Sequence, residues 1–171
     1  LKKYKQVLGQ MESNNNYRAV NNQTGALGRY QFIPSTLNSL RDKYNLPDWI
    51  DRNKFLNDIS LQEKYLNAYV FDTLTYIIHN RLDRRIGEPI RGGRRFPDIS
   101  TNVNIYGLLA GAHIAGVGNL EKYFDFGNDP NDGQTALTDY VAYFSKNVAD
   151  IGYLLPVLIL AFLSMILLYY D

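Results

Sequence analysis

The chain has 171 residues, no cysteine, two histidines and a formal net charge of +1. The length suffices for one domain with a real core, and the lack of cysteine excludes disulfides and thiolate metal sites. A charge near zero removes any global push toward nucleic acid. His79 and His113 are too few for a histidine-rich zinc centre, so no metal and no cofactor are expected.

Tyr4, Val7, Leu8 and Met11 recur at i, i+3, i+4 and i+7, one apolar face of a helix over residues 2–13. Ser13 and the three asparagines after it are poor helix interiors and end it. Glu12, the only acidic residue before Asp42, therefore falls in the last turn. The negative end of the macrodipole disfavours a second negative charge there. A carboxylic acid that keeps its proton near neutral pH is what general acid catalysis needs. The plain alternative is a solvated charge at a helix end. The polar loop that follows, to Ile33, carries Gly25 and Gly28 around Ala26 and Leu27, then Tyr30 and Gln31. Glycine admits positive φ and lets a ligand approach the backbone. Gln31 offers a donor and an acceptor, as sugar hydroxyls require. Two glycines at this spacing are, alone, simply a turn.

Pro34 suits the first turn of a short helix over 35–44. Leu46, Pro47 and Asp48 break it, and 49–56 holds a further turn. Ser60 and Glu63 form a capping-box pattern for a long helix running to about Leu82. Leu61, Tyr65, Leu66, Tyr69, Val70, Leu74, Ile77 and Ile78 make it the candidate central buried helix, with His79 in a structural position at its end. Residues 81–97 place six arginines among three glycines and two prolines without helix or strand period. Such a stretch is either a solvated loop or a basic one that attracts anions: peptide carboxylates, lipid headgroups or nucleic acid. Ser100 is placed to cap a helix to about Gly116 whose small residues, Gly107, Ala110, Gly111, Ala112 and Ala115, suit close packing or a groove. A short helix over 119–126 follows. Residues 129–133 resemble a calcium loop only faintly and read as a turn. Thr135 caps a helix from Ala136 that carries Tyr140, Val141 and Phe144. No strand pair with clear alternation stands out.

Residues 151–170 are twenty in a row without a charge, rich in leucine and isoleucine, with Tyr153, Tyr169 and Tyr170 near the ends. That length and those aromatics predict a transmembrane helix, the alternative being a buried core helix. The chain also has fourteen tyrosines; their faces suit sugar rings, although packing in a core or at a membrane interface uses them equally well.

Three of these stretches together resemble the lysozyme-like lytic transglycosylases of bacteria and phages. That family carries Glu-Ser, then Gly-Ala-x-Gly-x-x-Gln, then Ala-x-x-Ala-Gly, then a tyrosine near the end. Glu12-Ser13 is similar to the first, Gly25 to Gln31 to the second, and Ala112 to Gly116 to the third, while Tyr140 falls where the last would be. The form of the glycine loop is most similar to phage- and virion-associated members. One departure is that His113-Ile114 stands where the family usually has Tyr-Asn, which removes a polar substrate contact. The resemblance spans residues 1 to about 145. It implies a mainly α, lysozyme-like helical domain at 1–147, followed by one C-terminal transmembrane anchor at 148–171.

What the resemblance implies for function is cleavage of the β-1,4 bond between N-acetylmuramic acid and N-acetylglucosamine in peptidoglycan, with Glu12 as the catalytic acid. Ser13, Gly25, Gly28, Tyr30, Gln31, His113, Gly116 and Tyr140 would hold the substrate. The implied partners are glycan strands, a lipid bilayer through 151–170 and virion capsid proteins, with nucleic acid disfavoured. Residues 1–11 are too polar for a signal peptide, and a lone C-terminal span leaves its domain on the side where it was made. A removed leader, action after lysis, or carriage on a virion membrane would each bring the domain to the wall. The phage-like loop points to the third, hence to a single-pass location in the membrane of a lipid-containing virion or the host envelope. Two alternatives stand beside this one. A hydrolytic lysozyme would use a second carboxylate, such as Asp42, Asp48, Asp51 or Asp72. A structural membrane protein of a virion would keep the lysozyme-like fold without activity.

Overall fold

The computed structural model describes residues 1–131 and 134–148. The chain divides into two compact units, whose described parts are residues 1–71 and 72–148. In the first unit α1 (Lys2–Ser13) stops where Asn14 turns left-handed at φ 53°, its N–H closing on the Gln10 carbonyl and that of Asn15 on the Gly9 carbonyl. Asparagine tolerates this conformation better than most residues, and Asn15 follows at φ 61°. The loop beyond is folded on itself. Leu27 pairs in antiparallel fashion with both Val20 and Phe32, and Gly28 N–H donates to the Ala19 carbonyl at 2.8 Å. α2 (Pro34–Tyr44) starts on its proline and ends on left-handed Asn45. α3 (Arg52–Asn57) is capped by the Asp51 carboxylate, which accepts from Lys54 N–H.

α4 (Ile59–His79) begins in the first unit and runs on into the second. The predicted capping box at Ser60 and Glu63 does not form. Asp58 is the cap, accepting from Leu61 N–H at 2.9 Å, which leaves Glu63 for long-range partners. Tyr65, Leu66, Val70, Leu74 and Ile77 are fully buried along this helix, as its apolar stripe requires.

In the second unit a short 3-10 turn, Leu82–Arg85, precedes a two-stranded antiparallel hairpin, β1 (Pro89–Arg91) with β2 (Ser100–Asn102), in register Ile90 to Thr101. Two expectations are corrected here. Part of the arginine-rich stretch is strand β1, and Ser100 lies in its partner β2 instead of capping a helix. The cap belongs to Asn104, which accepts from Gly107 N–H at 3.0 Å at the start of α5 (Ile105–Ala115). α6 (Val117–Phe126) and α7 (Leu137–Asn147) complete the described residues. α5 packs on α6 and α7, and both strands lie against α7. The small residues of α5 serve that packing. A Cβ on Gly107 would strike Ser145 Oγ and the Val141 carbonyl, and one on Gly111 would come within 2.6 Å of Val141 Cγ2.

Among the described residues no helix is long and apolar enough to cross a membrane. As a correction to the expected fold class and single-pass membrane location, no helix of the described residues can serve as the transmembrane helix. α4 has a span's length at 21 residues, but Glu63, Lys64 and Asp72 and the buried Gln62 and Asn67 make it a core helix. Residues 151–170, where the span was predicted, lie outside the described residues.

Candidate functional site

The first unit joins the end of α1 to the glycine loop through one hydroxyl. Ser13 Oγ donates to the Arg29 carbonyl at 2.8 Å and accepts from Asn16 N–H at 3.0 Å. Glu12, the residue before it, is half-buried in the last turn of α1. Gly25 and Gly28 both take positive φ, at 74° and 76°, the conformation for which glycine is the cheapest residue. Gly28 carries a second constraint, because a Cβ there would run into the side-chain oxygen of Gln62. Gln31 follows at φ 50°, its amide donating back to the Gly28 carbonyl at 2.9 Å. A non-glycine residue held left-handed stores strain of about 1 kcal/mol or more, and here the pairing around Leu27 holds it in place.

Gln62, only 1% exposed, clasps the loop from α4. Its oxygen accepts from Arg29 N–H at 2.9 Å, and its amide nitrogen donates to the carbonyls of Tyr17 and Phe55, both at 2.9 Å. Beside it Glu63 gathers four side chains. Oε2 pairs with Lys5 Nζ at 2.9 Å. Oε1 accepts from Tyr17 at 2.8 Å and from the Tyr30 hydroxyl, with the Arg29 guanidinium 3.3 Å away. Arg29 also donates to Tyr17 Oη at 2.7 Å and lies over the rings of Tyr17 and Tyr30. Its path across α1 explains Gly9, where a Cβ would collide with the guanidinium nitrogen and with Asn15.

These contacts set the protonation of the cluster. Burial works to raise the Glu63 carboxyl, but hydrogen bonds from Tyr30, Lys5 and Tyr17 and the Lys5 charge outweigh it and hold the group below the ordinary glutamate range. The phenols of Tyr30 and Tyr17 are pushed upward, first by burial and then by the Glu63 carboxylate. At neutral pH the cluster is thus one carboxylate, two cations and two neutral phenols. A cavity of about 640 Å³ opens against it, lined by Leu1, Lys2, Lys5, Gln6, Tyr17, Arg29 and Glu63. Its polar groups and excess of cations suit a ligand with hydroxyls or a negative charge. Glu12 is not one of the lining residues.

The sequence-predicted site residues therefore divide. Glu12, Ser13, Gly25, Gly28, Tyr30 and Gln31 all belong to the α1 end and the glycine loop of the first unit. His113, Gly116 and Tyr140 belong to the second unit: His113 on α5, Gly116 between α5 and α6 at φ 83°, and Tyr140 on α7. Tyr30 and Tyr140 were expected to face a sugar. They are 1% and 3% exposed, and Tyr140 stacks on Phe144 with centroids 5.9 Å apart, so both rings are spent on the core. Three of the four carboxylates considered as second catalytic groups are also engaged. Asp42 and Asp48 pair with Arg41 at 2.9 and 3.4 Å, and Asp51 caps α3.

Gln62, Glu63, Lys5, Tyr17 and Arg29 were not singled out from the sequence as site residues. A signal was present for two of them. Gln62 precedes Tyr65 and Leu66 by three and four residues, and Glu63 precedes Leu66 and Val70 by three and seven, so polar side chains interrupt an apolar stripe. Among the described residues no group of acidic or histidine side chains could hold a metal ion. The chain matches no family model, no curated protein and no solved structure.

Proposed function

We propose that the chain is a peptidoglycan lytic transglycosylase that acts through Glu12. The observation that carries this reading is the Ser13 to Arg29 hydrogen bond. It ties the helix end that carries half-buried Glu12 to a loop with two left-handed glycines and a left-handed Gln31, which Gln62 clasps at the Arg29 N–H. The Glu12 proton passes to the glycosidic oxygen as the C1–O bond breaks, and the bond's electron pair leaves with that oxygen. The carboxylate so formed takes the proton of the muramic acid 6-hydroxyl, whose oxygen closes on C1. A 1,6-anhydro ring results, Glu12 is again protonated and no water is consumed. Hydrolysis instead needs a second carboxylate at about 5–9.5 Å. The acidic residues of the first unit with resolved roles are otherwise employed: Asp42 and Asp48 in ion pairs, Asp51 and Asp58 in caps, Glu63 among four donors. That favours the lyase over the hydrolase.

The test is mass spectrometry of fragments released from purified peptidoglycan. Anhydro ends from the native chain, and their loss in Glu12→Gln with an unchanged melting curve, are expected. Reducing ends would make the chain a hydrolase. Release that persists in Glu12→Gln removes Glu12 from the chemistry, and no release from the native chain ends the enzyme reading.

A further inference from the structure

The cavity against Glu63 offers contacts that the glycine loop does not use. Oε1 of Glu63 serves Tyr17, Tyr30 and Arg29, whereas Oε2 accepts only from Lys5 among the described residues, at 2.9 Å. Oε2 therefore keeps room for a second donor. Lys5 spends one of its three N–H donors on that oxygen. Arg29 is committed to Asn15, Tyr17, Tyr30 and Glu63, so it lends the cavity charge more than donors. Lys2 and Gln6 are exposed on the cavity wall and make no side-chain hydrogen bond or ion pair among the described residues. Lys2, Lys5 and Gln6 stand at i, i+3 and i+4, neighbours on one face of α1. Two ammonium groups at that spacing repel each other, and an anion between them offsets the repulsion.

We propose that this cavity binds a phosphate monoester that carries hydroxyls, a sugar or polyol phosphate. The lining sets Lys2, Lys5 and Arg29 against Glu63, three cations to one carboxylate and so an excess of two positive charges. A phosphate monoester carries about −1.5 to −2 at neutral pH and offers three acceptor oxygens, enough to engage Lys2 and Lys5 together. A single carboxylate would leave one cation unmatched. The hydroxyls meet the Gln6 amide, which both donates and accepts, and Glu63 Oε2, which accepts. At about 640 Å³ the cavity is much larger than a bare phosphate and lies in the range of small-molecule sites, about 300–1,000 Å³. Glu63 would meet the next phosphate of a nucleic-acid strand with like charge, so one phosphate fits better than a chain of them. Glu12 lies seven residues beyond Lys5, about 10 Å along the helix, and does not line the cavity. The site is separate from the one proposed for glycan cleavage and stands or falls without it.

The experiment is titration of the full chain with glucose 6-phosphate and with glycerol 3-phosphate at constant ionic strength, followed by nuclear magnetic resonance. Saturable shifts of the amide resonances of residues 2–6 and of Tyr17 are expected with both. Glucose, which lacks the phosphate, should bind about tenfold more weakly. Inorganic phosphate, which lacks the carbon-borne hydroxyls, should bind about fivefold more weakly. Lys2→Gln, at an exposed position where the fold is not at risk, should weaken glucose 6-phosphate about fivefold and leave glucose unchanged. No saturable shift with either phosphate ester overturns the proposal, and so does equal binding of glucose and glucose 6-phosphate. Inorganic phosphate or sulfate binding as tightly as the esters marks a plain anion site and overturns it as well. Phosphatidic acid vesicles carry the same group on a lipid; shifts with the vesicles and none with the soluble esters would make this face a membrane contact instead.

Discussion

Two carboxylates, one in each unit, do the same job by different means. Glu63 holds the glycine loop through side chains: Lys5, Arg29, Tyr17 and Tyr30. Asp139 holds the arginine turn through backbone N–H groups of Ala136, Arg95 and Phe96. The first arrangement depends on the charge of its partners and keeps two cations close together, so its strength changes with pH and salt. The second uses donors that never titrate. A loop expected to meet a ligand is thus tied by titratable groups at the edge of a cavity, and the hairpin turn is tied by a carboxylate in the core.

The largest effect expected is on chemistry. Glu12→Gln should lower fragment release by about 10²–10⁴-fold with little change in melting temperature, because the near-isosteric change leaves the Glu63 cluster untouched. The sharpest test of the comparison itself is Asp139→Ala. It leaves three N–H groups without their acceptor in a fully buried site, and should cost about 3 kcal/mol in a denaturant titration. Glu63→Gln should cost less, about 2 kcal/mol, since Glu63 is 25% exposed and water screens the cations it abandons. Equal losses from the two would erase the distinction. Gly28→Ala, with positive φ and Gln62 in its way, should cost about 1–2 kcal/mol.

The Glu63 tie carries a pH dependence of known sign. The Glu63 carboxyl is lowered in the folded chain, so its contribution is complete above the ordinary glutamate value of about 4.3. It is lost as pH falls through the lower folded value. The raised phenols of Tyr30 and Tyr17 contribute fully below about pH 10, and that part fades as pH climbs through their folded values. Melting temperature followed from neutral to acid pH should fall less steeply in Glu63→Gln than in the native chain. An unchanged acid slope would show that Glu63 is not the group responsible.

How much of this the residues disclosed in advance depends on the distance over which each is held. α1 was legible to its last residue because Tyr4, Val7, Leu8 and Met11 mark one face and Ser13-Asn14-Asn15 stop it locally. The glycine loop was legible for the same reason, since positive φ at Gly25 and Gly28 is written in residue type. The hairpin was not. Two three-residue strands, Pro89–Arg91 and Ser100–Asn102, are too short to show alternation, and Asp139 reaches their turn from more than forty residues away. Glu63 was misread as a local cap because its partners, Lys5 and Arg29, lie 58 and 34 residues off. Residue type cannot say which side of a loop meets the core, and the burial of the Tyr30 ring with its hydroxyl on Glu63 is visible only in the structure.

Gln62 sits one residue before Glu63 and grips the same loop with an uncharged amide. Acidification that strips Glu63 of its charge would therefore loosen the loop's hold on α4 without letting go of it. The register of Gly28 and Arg29 has a pH-blind backup, and a protein so fastened can soften in acid yet keep its groove in shape for the next encounter.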